Sequence, residues 1–219
     1  MERIICLVIG YIFGLFQTGY IVGKLHHIDI RQQGSGNAGS TNAVRVMGWK
    51  AGLCTFAGDV LKCVLAICLT RYIYRDTAYA PMLAMYAGVG ATLGHNFPFY
   101  LKFKGGKGIA VLAGLVVATH PVLVPIPLAC FLIASILTRY VSLGSLLAAT
   151  TFFMEIILYG EMGGLGMSLN YRIETYVLAC VIMVLAWFRH KENIKRLIAG
   201  TENRFGSKNK RKGCLMWQT

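Results

Sequence analysis

The chain has 219 residues, of which 56% are hydrophobic and only 14% are charged. A soluble domain of this length carries about a quarter charged residues, so the composition indicates a lipid-facing surface as well as a core. The formal net charge is +13. Because the basic stretches are not interleaved with aromatic residues, we expect attraction to anionic membrane lipids and no nucleic-acid partner.

Seven apolar runs predict seven transmembrane helices. A helix needs about 20 residues to cross a bilayer. The predicted spans are residues 4–22, 51–70, 77–101, the two halves of 108–138, 140–158 and 171–188. Run 108–138 is too long for one ordinary span and contains His120-Pro121 near its middle. We therefore expect two short helices there, with a turn at His120.

The Lys and Arg residues of the loops predict the orientation. With the N-terminus outside, the inner loops and tail hold 17 of the 22 Lys and Arg residues, and the outer segments hold four. No small-residue cleavage site follows the first run, so we expect a retained helix. The prediction is a single membrane domain over 1–206, with a cytoplasmic C-terminus and a basic, disordered tail over 207–219.

A glycine-rich polar segment, GSGNAGSTN at 34–42, follows the first predicted span. Glycines allow the backbone to turn successive N–H groups inward as an anion-binding nest. The helix that follows directs further N–H groups to the same point, and Arg45 adds a guanidinium suited to phosphate. A flexible loop of ordinary turn residues is the alternative.

A second polar segment, GHNFPFYLKFKGGKG at 94–108, combines glycines with Lys102, Lys104 and Lys107 at the start of a helix. This pattern is typical of a phosphate site, although an ordinary basic inner loop also fits. The Walker A spacing is missing, which disfavours ATP hydrolysis. For His95 we expect a structural role.

A third polar segment, RHKENIKRLIAGTENRF at 189–205, follows the last span. His190 and Asn193 are three residues apart and share a helix face. His190 fits either a site residue or an interfacial anchor. Glu202 lies beyond a glycine break, and we expect it to pair with cations or hold a loop. Within the second span, Asp59 and Lys62 are three residues apart and predict a structural ion pair, with direct contact with the substrate as the alternative.

Taken in order, three stretches of these segments resemble the signature segments of one enzyme family. They are SGNAGSTNAVR (35–45), GHNFPFYLKFKGGKG (94–108) and HKENIKRLIAGTE (190–202), and the family is the acyl-phosphate:glycerol-3-phosphate acyltransferases, the PlsY family of bacterial lipid synthesis. The resemblance covers nearly the whole chain, including Asp59 and Lys62. Ala38, Ser40 and Val111 stand where Pro, Ala and Thr are common in the family.

The resemblance implies an all-α, polytopic integral membrane protein of the bacterial plasma membrane, with its active site at the cytoplasmic face. It implies transfer of a fatty acyl group from acyl phosphate to the sn-1 hydroxyl of glycerol 3-phosphate, giving lysophosphatidic acid and phosphate. We expect a monomer that uses no cofactor. We expect no metal site, because the acidic residues are few and scattered.

The resemblance also assigns residues. Residues that hold glycerol 3-phosphate or the reacting centre are Ser35, Arg45, Lys104, His190 and Asn193. Residues that bind phosphate are Gly36, Asn37, Gly39, Thr41, Asn42, Gly105, Gly106, Lys107 and Gly108. Glu202, Asp59 and Lys62 are assigned structural roles.

Two questions stay open at this point. The proton of the attacking hydroxyl goes either to His190 or to the phosphate of the acyl donor, and we favour the second route. The main alternative to an enzyme is a transporter of organic phosphates, which predicts binding groups near the bilayer midplane. No histidine has an aspartate five residues on, which disfavours the H-x-x-x-x-D acyl-CoA mechanism.

Overall fold

The computed structural model describes residues 1–206, and every regular element in that range is helical. The α-helices are α1 (Glu2–Gly14), α2 (Thr18–Leu25), α3 (Ser40–Met47), α4 (Trp49–Ile73), α5 (Ala80–Asn96), α6 (Ile109–Thr119), α7 (Pro125–Thr138), α8 (Val141–Glu161), α9 (Leu169–Arg189) and α10 (Lys191–Ile198). The all-α prediction is therefore confirmed for this range. The predicted basic tail at 207–219 lies outside it.

Within residues 1–206, five helical segments are long and apolar enough to cross a membrane. They are Glu2–Leu25, Trp49–Ile73, Pro121–Thr138, Val141–Glu161 and Leu169–Arg189. The other two predicted spans also form helices, but α5 has 17 residues and α6 has 11. The number of membrane crossings stays a prediction.

The predicted turn at His120 is confirmed. Helix α6 ends at Thr119, a short 3₁₀ helix covers Pro121–Leu123, and α7 begins at Pro125. Proline lacks the backbone N–H that a continuous helix needs, and it is tolerated in the first turn of the next helix.

The first predicted span is interrupted between α1 and α2, which the sequence pattern did not indicate. At the interruption, the carbonyl of Phe16 accepts a hydrogen bond from Lys62 Nζ at 2.7 Å. The side-chain amide of Gln17 donates to the carbonyls of Gly14, Gly94 and His95 at 3.1–3.3 Å. Contacts with α4 and α5 thus compensate for the broken helical hydrogen bonds.

Helices α1 and α5 pack backbone against backbone. A Cβ atom on Gly10 would lie 1.9 Å from the carbonyl oxygen of Ala87, and one on Gly94 would lie 2.2 Å from that of Tyr11. Small residues commonly allow such close helix contacts in membranes. This packing fixes the C-terminal end of α5, where the second polar segment begins.

Candidate active site

The three polar segments meet at one end of the helix bundle around a cavity of about 150 Å³. The first segment contributes Ser35, Asn37, Gly39, Ser40, Thr41, Asn42 and Arg45 to its wall, the second contributes His95, Lys107 and Gly108, and the third contributes His190, Asn193, Arg196, Glu202, Asn203 and Phe205. Asp59 of α4 and two serines of α8, Ser142 and Ser145, complete the polar part of the wall. Residues far apart in the sequence therefore share one polar cavity.

The side chain of Asn42 shapes the first glycine-rich loop. Its Nδ2 donates to the carbonyls of Ile30, Gln33 and Asn37 at 2.9–3.2 Å, and its Oδ1 accepts from the Ser35 N–H at 2.9 Å. These bonds occupy both polar atoms of a side chain that is itself buried. Asn42 therefore holds the loop in shape, while the hydroxyls around it face the cavity.

The side chain of Asn37 fixes the backbone just before α3. The Oδ1 of Asn37 accepts from the N–H of Gly39, the residue that precedes the helix. The first N–H groups of a helix have no partners within the helix. Because Ser40 and Thr41 line the cavity, the N-terminal end of α3 is placed to attract an anion.

The second glycine-rich loop is bound to the end of α5. The N–H groups of Gly105 and Gly106 donate to the carbonyls of Asn96 and His95 at 3.2 and 3.1 Å. Arg189 in turn donates to the carbonyls of both glycines at 2.9–3.1 Å. The N–H groups expected to bind phosphate at these two glycines are thus engaged within the protein.

Some of the predicted site residues on these two loops line the cavity, and others lie outside its wall. Lys107 and Gly108 line the cavity, whereas Lys104 is exposed and lies outside its wall. Gly36, Gly105 and Gly106 also lie outside the wall. Phosphate binding by the three glycines, and the role of Lys104 at the reacting centre, stay predictions.

Lys107 is a half-buried cation that lines the cavity. Its Nζ donates to the Oδ1 of Asn193. Burial, assisted by the positive charges of Arg196, Arg189 and Arg45, lowers the pKa of Lys107 to about 8, although Glu202 opposes the shift. A partly desolvated ammonium group gains favourable interactions when an anion enters, because the anion replaces the water that the group has lost.

His190 lies at the end of α9 and is 3% exposed. Its Nδ1 lies 2.7 Å from the carbonyl of Ala186, and since a carbonyl only accepts, Nδ1 carries the proton. Burial, with the nearby charge of Lys107, lowers the pKa of His190 to about 4. The imidazole is therefore neutral at pH 7, and its Nε2 is available to accept a hydrogen bond.

Glu202 connects three parts of the structure. Its Oε1 accepts from Asn193 Nδ2 at 2.7 Å and from Ser142 Oγ at 3.1 Å, and its Oε2 accepts from Arg196 Nε at 2.8 Å. The carboxylate thus joins α8, α10 and the segment after α10. This geometry suits the structural role expected from the sequence better than that of a free base.

Asp59 and Lys62 form a buried ion pair of 2.8 Å beneath the cavity. Thr18 Oγ1 also donates to Asp59, at 3.1 Å. Lys62 contacts His95 Nδ1 at 2.8 Å, and His95 forms part of the cavity wall. Sequence reasoning placed His95 in a structural role and did not connect it with this pair.

Sequence reasoning also missed the contribution of α8. Ser142 and Ser145 line the cavity from the first turns of this apolar helix. Their spacing of three residues, which puts both on one helix face, was the available signal.

An apolar groove opens beside the polar cavity. Its volume is about 570 Å³, and its apolar wall includes Trp49, Leu53, Phe56, Phe131, Leu132, Ile136 and Phe205. Phe56, Phe131 and Phe205 line both the groove and the cavity. An amphiphilic ligand can therefore place an anionic group in the cavity and a hydrocarbon chain in the groove.

Comparisons with known proteins point to one enzyme family. The family model described as glycerol-3-phosphate acyltransferase matches residues 4–200. Glycerol-3-phosphate acyltransferases of Thermoanaerobacter sp. (strain X514) and Clostridioides difficile (strain 630) are 40% and 41% identical over 209 and 207 residues. These alignments cover 95% and 94% of this chain and 98% and 96% of the relatives.

Two crystal structures are also similar. Both are of PlsY (YgiH), an integral membrane glycerol 3-phosphate acyltransferase, one in its glycerol 3-phosphate form and one in its lysophosphatidic acid form. Their TM-scores are 0.82 and 0.80, at 32% and 31% sequence identity. Each comparison covers 94% of this chain and 96% of the other.

Proposed function

We propose an acyl phosphate as the acyl donor of this protein. The chain belongs to the glycerol-3-phosphate acyltransferase family and is therefore a membrane enzyme that acylates glycerol 3-phosphate. We further propose that the acceptor is the sn-1 hydroxyl, so that the products are lysophosphatidic acid and inorganic phosphate. The observation that carries this proposal is the donor-lined, cationic cavity beside an apolar groove.

The cavity suits two phosphate-bearing substrates. Three cationic side chains, those of Arg45, Lys107 and Arg196, line it, and the start of α3 adds unpaired N–H groups. The two carboxylates of the wall are both engaged by internal donors, Glu202 by three and Asp59 by Thr18 and Lys62. Holding both substrates in line contributes up to about 7–11 kcal/mol to lowering the barrier.

The reaction needs no general base from the protein. The sn-1 hydroxyl oxygen attacks the carbonyl carbon of the acyl phosphate, the bond from that carbon to the phosphate oxygen breaks, and the departing phosphate takes the hydroxyl proton. With a pKa of about 4, His190 is a weak base at neutral pH. We infer that His190 acts as a ligand of glycerol 3-phosphate, with Nε2 accepting a hydrogen bond from the hydroxyl that does not react.

For the membrane arrangement we propose seven crossings, with the N-terminus outside and the cavity at the cytoplasmic face of the bacterial plasma membrane. The distribution of Lys and Arg supports this orientation. The shorter helices α5 and α6 then count as crossings. We also propose a monomer whose basic inner loops attract anionic lipids.

An assay with purified protein and labelled glycerol 3-phosphate tests the donor. We expect labelled lysophosphatidic acid, and one phosphate for each lipid formed, when acyl phosphate is supplied without coenzyme A. Product with acyl-CoA but not with acyl phosphate would overturn the proposed donor. In vesicles, unmodified label crossing the bilayer without lipid product would support the transporter instead.

Two histidine variants make the assay specific for the cavity. His190→Ala should lower activity strongly, chiefly by raising KM for glycerol 3-phosphate. His26 is exposed and lies outside the cavity wall, so His26→Ala should leave the rate unchanged. A fall in kcat with unchanged KM for His190→Ala would indicate the general-base role.

A further inference from the structure

The buried pair Asp59–Lys62 has a third member, His95. Lys62 Nζ contacts three groups: the carbonyl of Phe16 at 2.7 Å, Asp59 Oδ1 at 2.8 Å and His95 Nδ1 at 2.8 Å. The side chains of Lys62, Asp59 and His95 are 4%, 1% and 3% exposed. Water has little access to this group, so the internal partners decide where its protons lie.

The contacts of Lys62 determine the tautomer of His95. An ammonium group has three N–H bonds and no lone pair. Lys62, paired with a carboxylate, uses these three bonds on its three neighbours, so Nδ1 of His95 must accept. A neutral imidazole that accepts at Nδ1 carries its proton at Nε2. His95 therefore presents a donor at its outer nitrogen.

The outer nitrogen of His95 has no internal use among residues 1–206. No hydrogen bond within this range involves Nε2, and the atom is not fully enclosed. His95 forms part of the cavity wall together with Asp59. Gly106 packs beside this nitrogen, since a Cβ atom there would lie 2.0 Å from Nε2, and only a residue without a side chain fits at this position.

We propose that His95 donates a hydrogen bond from Nε2 to a phosphate oxygen of a substrate in the cavity, and that Asp59 and Lys62 are positioning residues that fix its tautomer. The inference rests on the proposed function, since it takes a phosphate ester as the ligand. An unused donor in a cavity lined by Arg45 and Lys107 suits an anion. The buried ion pair thus serves the site as well as the fold.

Two substitutions separate the donor at Nε2 from the acceptor at Nδ1. In His95→Asn, the amide oxygen can replace Nδ1 and accept from Lys62, but nothing replaces Nε2. In His95→Gln, the longer amide can place an N–H near the position of Nε2 but leaves Lys62 without its acceptor. A purely structural histidine is better replaced by Asn, and a substrate-contacting histidine by Gln.

We expect His95→Asn to fold and to lose about 10–100-fold in kcat/KM, the loss typical of one hydrogen bond to a charged group. Its thermal shift on adding glycerol 3-phosphate should also shrink. His95→Gln should keep more activity than His95→Asn, with a lower Tm. Full activity in His95→Asn, or equal losses in both variants, would overturn the proposal.

If either variant fails to fold, nitrogen NMR of the full-length protein tests the tautomer of His95 and its contact with the ligand directly. In a variant with His26, His27 and His120 replaced by Gln, only His95 and His190 remain. The two should differ, because His190 carries its proton at Nδ1. We expect one Nε2–H ring whose signal moves on adding glycerol 3-phosphate. Two Nδ1–H rings, or an Nε2–H signal that does not move, would contradict the proposal.

The wild-type protein in the same assay distinguishes a failure of the proposed function from a failure of the proposed role of His95. If the wild type makes no lipid from acyl phosphate, the proposed function fails. If the wild type is active and His95→Asn is equally active, only the role of His95 fails.

Discussion

The two glycine-rich loops of the site have similar compositions but are held in opposite ways. Side-chain hydrogen bonds shape the first loop, 34–42, since Asn42 alone binds three carbonyls and one N–H group. The second loop, 102–108, is held through its own backbone, which donates to carbonyls at the end of α5 and accepts from Arg189. In the first loop, Gly34 and Gly36 allow the backbone to turn with positive φ. In the second loop, Gly105 and Gly106 allow the backbone to pack closely against the end of α5.

This difference decides what each loop offers to a ligand. The first loop lines the cavity with Ser35, Ser40 and Thr41, next to the start of α3. In the second loop, the N–H groups of the central glycines donate to carbonyls of α5, so the loop offers a ligand mainly the ammonium group of Lys107. A glycine-rich, basic sequence is therefore not sufficient evidence for a backbone phosphate cradle.

The largest effect should come from adding a methyl group to the second loop. In Gly106→Ala the Cβ atom would lie 2.0 Å from His95 Nε2, and the loop is fixed by α5 on one side and Arg189 on the other. A displacement of about 1 Å at a catalytic site can cost roughly 100-fold in rate. We expect a loss of kcat/KM of at least that order in a steady-state assay.

The matched change in the first loop is Gly36→Ala. Gly36 has φ +72°, and the nearest atom to its added Cβ, the Arg31 carbonyl oxygen, would lie at 3.2 Å. The strain for an alanine in this region is about 1–2 kcal/mol, so we expect a lower Tm and a loss of activity of about tenfold or less. Equal losses for both variants would show that the two loops are not held differently.

The next effect separates the two lysines of the second loop. Lys107 is in the cavity and contacts Asn193, whereas Lys104 is exposed. We expect Lys107→Met to lower kcat/KM about 10–100-fold, because a charge-assisted bond to phosphate is lost, and Lys104→Met to have a smaller effect. A loss at Lys104 as large as at Lys107 would support the role that the family resemblance assigns to Lys104.

The helices were largely predictable from the sequence because their signals are local. Apolar runs indicated each long helix, and the His120-Pro121 pair indicated the turn between α6 and α7. The interruption between α1 and α2 was not predictable in this way. It depends on Lys62 and on the end of α5, which meet Phe16 and Gln17 only after folding.

The site was predictable as a set of residues but not as a set of contacts. The family resemblance grouped Ser35, Arg45, Lys104, His190 and Asn193, and the structure brings four of them to the cavity wall but not Lys104. Their roles stay predictions. The sequence did not indicate that α5 engages the second loop, because the engaged carbonyls belong to backbone and leave no mark in the sequence. The same holds for His95, whose tautomer follows from the three contacts of Lys62.

The smallest expected effect is a pH dependence that arises in the second loop. Burial holds the pKa of Lys107 at about 8, so its positive charge is lost as pH rises from 7 to 9. Over this range His190, with a pKa of about 4, stays neutral, and a phosphate monoester with a second pKa of about 6 is nearly fully ionised. KM for glycerol 3-phosphate should therefore rise, by at most about tenfold for each pH unit above 8. Arginine stays protonated throughout, so in Lys107→Arg the rise should be absent, and an unchanged rise in that variant would assign the titration to a group outside this loop.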